Sequence, residues 1–116
     1  MAVVSLAGKL AQFDEHWAPK IVATYNDNDI MVVKLKGEFV WHSHPETDDL
    51  FLVLKGRLTI ELHDGPVHLG PGDLFVVPKG VEHRPVAEDE VHLLLIEPRG
   101  TPNTGDPATA VAKPRI

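Results

Sequence analysis

Apolar and polar positions alternate along most of this chain in short runs separated by turn residues. From Arg57 to His63 the alternation is strict: Leu58, Ile60 and Leu62 fall on one face, Arg57, Thr59, Glu61 and His63 on the other. That period of two predicts a half-buried strand. Asp64-Gly65 is a hairpin signal, and Val67-His68-Leu69 reads as the returning strand, with His68 turned away from its apolar neighbours. Ile21 to Tyr25 and Ile30 to Lys36 predict two further strands around the polar turn Asn26-Asp27-Asn28-Asp29. Leu50 to Leu54 is apolar throughout. Asp73 to Val77 lies between the turns Gly70-Pro71-Gly72 and Pro78-Lys79-Gly80. Pro85 suggests a bulge or edge, Ala87 to Glu90 reads as an acidic turn, and Val91 to Ile96 predicts a last strand, apolar on both faces except at His92 and therefore covered on both sides.

Helical periodicity is confined to the start of the chain. Ser5 is placed to cap a short helix in which Leu6, Leu10 and Phe13 share a face, interrupted by Gly8. Asp14 to Lys20, with Trp17 and Pro19, reads as a connector in which His16 has no site role. Beyond Glu97, Pro98, Pro102, Pro107 and Pro114 among Thr and Ala predict an extended or partly disordered arm. Short strands at close spacing with almost no helix predict an all-β fold, an antiparallel jelly-roll barrel. The expected organisation is a single domain over 1–116: helix and connector at 1–19, barrel at 20–97 and tail at 98–116.

Length and charge narrow the partners. A chain of 116 residues has room for one modest core. No apolar run reaches the ~20 residues that span a bilayer, so a membrane protein is not expected. A formal charge of -6 with 11 Lys and Arg leaves no basic stripe for nucleic acid. The first residues lack a secretory pattern and cysteine is absent, which together predict a cytoplasmic protein with neither disulfides nor thiolate chemistry. Because Leu50–Leu54 and Leu93–Ile96 are apolar on both faces and one barrel has one interior, a homodimer is expected, with Ile21–Tyr25 contributing to the cover.

Seven histidines are many for this length. His42 and His44 form the only His-x-His, and on an extended strand they project to one side. Asp49 returns beside them after the turn at Pro45–Asp48. Imidazole and carboxylate together are a donor set for a divalent first-row metal. Downstream, Gly72 to His83 places a histidine after a Pro-x-Gly turn. Neither serine sits in a nucleophile-elbow pattern, and Gly70-Pro71-Gly72 lacks the helix a phosphate cradle needs. His63 reads as a solvated strand residue. The face of His92 is left open by the sequence.

These two stretches, Gly37 to Gly56 and Gly72 to His83, resemble the paired motifs of the cupin superfamily, in particular its small single-domain members. The resemblance implies a double-stranded β-helix and a metal held by His42, His44, Asp49 and His83, with Asp49 standing where the family has glutamate. The shorter arm of Asp49 suggests a long or water-mediated contact, leaving the three histidines as the firm ligands. The implied cofactor is a divalent transition metal, one of Mn, Fe, Ni, Zn or Cu. A small chelating substrate or ligand is the implied partner, and the reaction is of isomerase or dioxygenase type. A binding or sensing module that holds a small molecule without turnover is the alternative. A titratable group in the barrel lining favours catalysis and an all-apolar lining favours binding. Glu46, Glu82 and Arg84 lie beside the motifs as candidates for acid–base or anion contact.

Overall fold

The computed structural model describes residues 1–116 and is almost entirely antiparallel sheet. A one-turn helix α1 (Leu6–Leu10) is capped by Ser5, whose hydroxyl accepts from the Gly8 N–H at 3.0 Å. The strands are β1 (Lys20–Tyr25), β2 (Asn28–Glu38), β3 (Asp49–Lys55), β4 (Leu58–Leu62), β5 (Val67–Leu69), β6 (Leu74–Val77) and β7 (His83–Pro98). No helix is long and apolar enough to cross a membrane.

The barrel is built around β7. One edge of β7 pairs with β2, from Asn28 opposite Pro98 to Glu38 opposite Val86. Its other edge pairs with β3 near Leu93 and with β4 from His83 to Val86. Strands β1, β6 and β5 then pair with β2, β3 and β4. The inward positions of this curled sheet meet in one apolar core that includes Met31, Val33, Leu35, Phe51, Val53, Leu58, Ile60, Leu93 and Leu95. This is the antiparallel double-stranded β-helix expected from the alternation.

Ala87–Glu90 is not a turn. β7 runs through it as a bulge: between the Gly37–Ala87 and Leu35–Val91 pairs, β7 advances further than β2 does. Charge misled the sequence reading here, because an extra stretch on one strand lets Glu88, Asp89 and Glu90 face solvent without ending the ladder. Gly56 shows how tightly the neighbouring turn lies on that bulge. Its φ is +88°, and a Cβ there would sit 2.7 Å from the Glu90 carbonyl oxygen, so only glycine fits.

The outer face of the sheet is partly covered from within the chain. Leu10, Phe13, Val22 and Val32 form a second small cluster, joined by Leu54 and Ile116. The tail reaches it by folding back: the Ile21 N–H donates to the Pro114 carbonyl at 2.9 Å, and the Ile116 N–H to the Ile21 carbonyl at 3.0 Å. Proline keeps this segment out of the main ladders, yet a few backbone bonds and one partly buried apolar side chain, Ile116, are enough to dock it. β1 pairs with β2 of the same chain. On the opposite edge Leu74 and Val76 of β6 remain 59% and 42% exposed.

Candidate metal centre

The two sequence motifs are physically paired. His42 and His83 face each other across a short antiparallel bridge and exchange both backbone bonds, N–H to carbonyl at 3.1 and 3.0 Å. The segment before His42 is irregular rather than a strand, so this bridge sets its direction. The Gly80 N–H donates to the His44 carbonyl at 2.8 Å, and the Lys79 N–H to Asp48 Oδ1 at 2.9 Å. Asp48 therefore ties the Pro-x-Gly turn to the first motif. Asp49 opens β3 opposite Val77 and points inward.

Alternation does the rest. His42, His44, Asp49 and His83 are all buried, and one donor atom from each lies within 4.8 Å of the others. The Nδ1–H of His42 donates to the Val40 carbonyl and that of His83 to the Val81 carbonyl, both at 2.9 Å. A carbonyl can only accept, so Nδ1 carries the proton in both rings and Nε2 is turned to the centre. There His83 Nε2 lies 2.8 Å and His44 Nε2 3.2 Å from Asp49 Oδ2.

The electrostatics follow from that crowding. Burial pushes His42 down to about 4, helped by its histidine neighbours and opposed by the Val40 bond. Burial alone would also lower His44, but its bond to Asp49 outweighs this and raises it. Burial would raise the Asp49 carboxyl, yet the bonds from His44 and His83 bring it down to about 2. Imidazole lone pairs and a carboxylate oxygen converging in a buried space need protons or a cation between them. The His83–Asp49 contact needs a second proton on the ring or a metal ion in its place, and His44 Nδ1 is buried without a partner. The donor set fits a divalent transition metal on chemistry and on geometry.

A cavity of about 50 Å³ opens beside this cluster. That is room for a few waters or the chelating end of a small molecule. Trp17 and Phe39 stack along its wall at 4.8 Å, Phe51 and Leu93 add apolar surface, and the polar lining is His42, Asp49, Glu97 and Asn103. Glu97 was missed as a site residue, although its signal was present. Val91, Leu93 and Leu95 face inward, and the same period carries on to position 97. It is 4% exposed, and burial raises its carboxyl against the opposing pull of Lys113, whose ammonium lies 3.0 Å away.

The remaining candidates fall outside the cavity. His92 has the opposite parity and bonds Glu90, which also holds His16. His63 is exposed, stacks on Trp41 at 4.7 Å and pairs with Glu82. Arg84 pairs with Glu61 and Glu38. Glu82 and Arg84 flank His83 in sequence and so point away from it. Glu46 is exposed.

The family profile described as "Cupin domain" matches residues 29–97. A cupin-2 domain protein from Shewanella frigidimarina is 43% identical, with a TM-score of 0.83 over 84% of this chain and 95% of that one. A Neisseria meningitidis protein is 33% identical, with a TM-score of 0.76 over 84% and 99% of the two chains. The uncharacterized protein YdbB of Bacillus subtilis is 38% identical over 64 residues, 54% of this chain, and the match spans 57% of its own length. With its motifs paired at the mouth of a double-stranded β-helix and its family profile covering both of them, the chain belongs to the cupin superfamily.

Proposed function

We propose that this protein is a metal-dependent enzyme acting on a small chelating molecule, of isomerase or dioxygenase type, with His42, His44, His83 and Asp49 as the metal ligands. The observation that carries the proposal is the convergence of four buried donor groups, two of which, His42 and Asp49, line a cavity that also contains a buried carboxyl, Glu97. A bound transition metal would supply Lewis acidity toward chelating oxygens, or dioxygen chemistry if it is iron. His42 and His83, fixed by their carbonyl bonds, present Nε2 without rotational freedom. Trp17 and Phe39 wall off water on the side where a ligand's carbon skeleton would lie. Glu97 holds or accepts a proton at its carboxylate oxygens, in the role of general acid or base. The mostly apolar wall favours a second reading, a binding module without turnover; the titratable group within that wall favours catalysis.

Elemental analysis of protein purified without chelators is the test, followed by mass spectrometry of any small molecule retained. Wild type should carry close to one transition metal per chain, and His42→Ala or His83→Ala should lose it while His63→Ala keeps it. A wild type that holds no metal and takes none up at neutral pH would sink the proposal.

A further inference from the structure

The segment after β7 does more than trail from the barrel. It crosses the mouth of the metal pocket and returns to β1, fixed at both ends. At its root, Lys113 reaches back to Glu97 at 3.0 Å and also donates to the Thr101 carbonyl. At its far end, Pro114 and Ile116 bond the backbone of Ile21, and Arg115 donates to Thr24 Oγ1 at 3.0 Å. Between these points Gly105 is seated directly on the first motif. Its φ is +77°, and a Cβ there would overlap the Ser43 carbonyl oxygen, one residue from His44. Asn103 lines the cavity. Its Oδ1 accepts from the Val111 N–H at 3.0 Å, which fixes the amide orientation and leaves the NH2 as a free donor.

Resting on the metal-pocket reading above, we propose that residues 99–113 are a lid over the metal pocket, latched by Lys113 on Glu97 and seated through Gly105, and that Asn103 is its donor to an oxygen of the bound chelating ligand. Two features make the arm a lid rather than fixed wall. It is held mainly by one ion pair and a few polar bonds, so local opening requires little apolar surface to be exposed. Its latch is also shared with the cavity: Glu97 faces the pocket and the arm at once, so opening the arm frees the carboxyl that faces the ligand. Closure excludes water from the ligand, and opening admits it.

The test needs a readout that does not depend on metal. In chelator-treated full-length protein, the rate at which diethyl pyrocarbonate modifies His44, followed by peptide mass spectrometry, reports access to the donor cluster beneath the arm, with exposed His63 as internal reference. Gly105→Ala unseats the arm and Lys113→Met breaks the latch; neither replaces a ligand residue, and Lys113→Met adds no atom beside His44. Both should raise the His44 rate by about 10-fold or more at an unchanged His63 rate, with the fold intact by circular dichroism. Unchanged His44 rates in both variants would overturn the lid. For Asn103, acetohydroxamate serves as a small two-oxygen probe of zinc-loaded protein. Asn103→Ala should weaken it by about 2- to 10-fold, the worth of one hydrogen bond. Equal affinity would remove Asn103 from the ligand's contacts. A wild type that takes up no zinc would overturn the metal centre and the role of Asn103 with it, while the lid stands or falls on the His44 rates alone.

Discussion

Replacing Asp49 by asparagine asks whether this carboxylate holds the histidine cluster together before any ion arrives. Asp49 is 5% exposed, with its Oδ2 at 2.8 Å from His83 Nε2 and 3.2 Å from His44 Nε2. Burial would raise its carboxyl, but the bonds from those rings lower it from 3.8 to about 2. A shift of that size corresponds to about 2 kcal/mol of native-state stability once the group is ionised. The sign depends on both partners. A depressed carboxyl contributes stability above its ordinary value, and that contribution is lost as pH falls through about 2. His44 is raised above its ordinary 6.5, so its share is complete below 6.5 and lost as pH rises through the folded value. These are two ends of one interaction and count once. Its full strength lies between the ordinary carboxyl value and 6.5. Asparagine keeps the shape and removes the charge. Metal-free Asp49→Asn should therefore be less stable than wild type by about 2 kcal/mol near pH ~5.5, and the gap should narrow near pH ~8.5. Urea unfolding of chelator-treated protein, followed by tryptophan fluorescence at the two pH values, measures both gaps. A variant as stable as wild type at the lower pH, or a gap that does not change with pH, would refute this account of the site.

Metal uptake should have its own pH dependence: ligation requires neutral imidazoles and must displace the His44 proton, which is held above the ordinary 6.5, so affinity measured by chelator competition should fall as pH drops through that raised value, already above 6.5. Asp49→Ala should weaken metal binding by about 10- to 100-fold if the carboxylate orients the histidines, whereas complete loss with the fold preserved would make it an indispensable ligand. Gly56→Ala should cost about 2 kcal/mol or more in urea unfolding and Gly80→Ala about 1, because both have positive φ but only the Gly56 Cβ meets backbone; equal losses would deny the close approach to the bulge. The exposed Leu74 and Val76 beside Leu52 and Leu50 are the face on which a homodimer would close, so light scattering after size exclusion should give a dimer mass that Val76→Lys reduces; a monomeric wild type at micromolar concentration would rule this out.

Alternation made the barrel legible. Where a strand buries one face, period two names the buried residues, and Leu58 and Ile60 are buried as that pattern requires. The same rule brought His42 and His44 onto one side. What it could not supply was pairing. Nothing in the residues from Phe39 to Pro45 says that His42 bridges His83, because that contact depends on how distant segments fold together. The bulge at Glu88–Glu90 was hidden for a related reason: acidic residues in a turn and in a bulged strand look alike when both are solvated. The arm was hidden by composition. Proline and threonine report correctly that no core can form there, and are silent on whether a neighbouring surface will accept the chain. Glu97 lay within reach of the alternation rule but sat next to Pro98, where strand patterns are normally taken to end.

Charge inside the cavity narrows the ligand further than the fold does. Its lining contains the carboxyl groups of Asp49 and Glu97 and no cationic side chain. Lys113 is engaged with Glu97, and Arg84 is held outside by Glu61 and Glu38. A phosphorylated substrate would bring charge into a space with nothing to receive its phosphate, at a desolvation cost that such a site cannot offset. A divalent ion beside Asp49 changes that balance at one point only, leaving roughly a single positive charge directed at the ligand. Under the proposed function, the substrate would therefore be one whose negative charge develops at a chelating oxygen as it binds, such as a hydroxy-carbonyl compound or an enediol. Its carbon skeleton would lie against Trp17 and Phe39. Sugar phosphates and other polyanions should accordingly fail to compete with acetohydroxamate for the loaded protein, and small neutral hydroxy-ketones should succeed. Effective competition by a sugar phosphate at similar concentration would show that the charges enclosed by this barrel are not those that face its ligand.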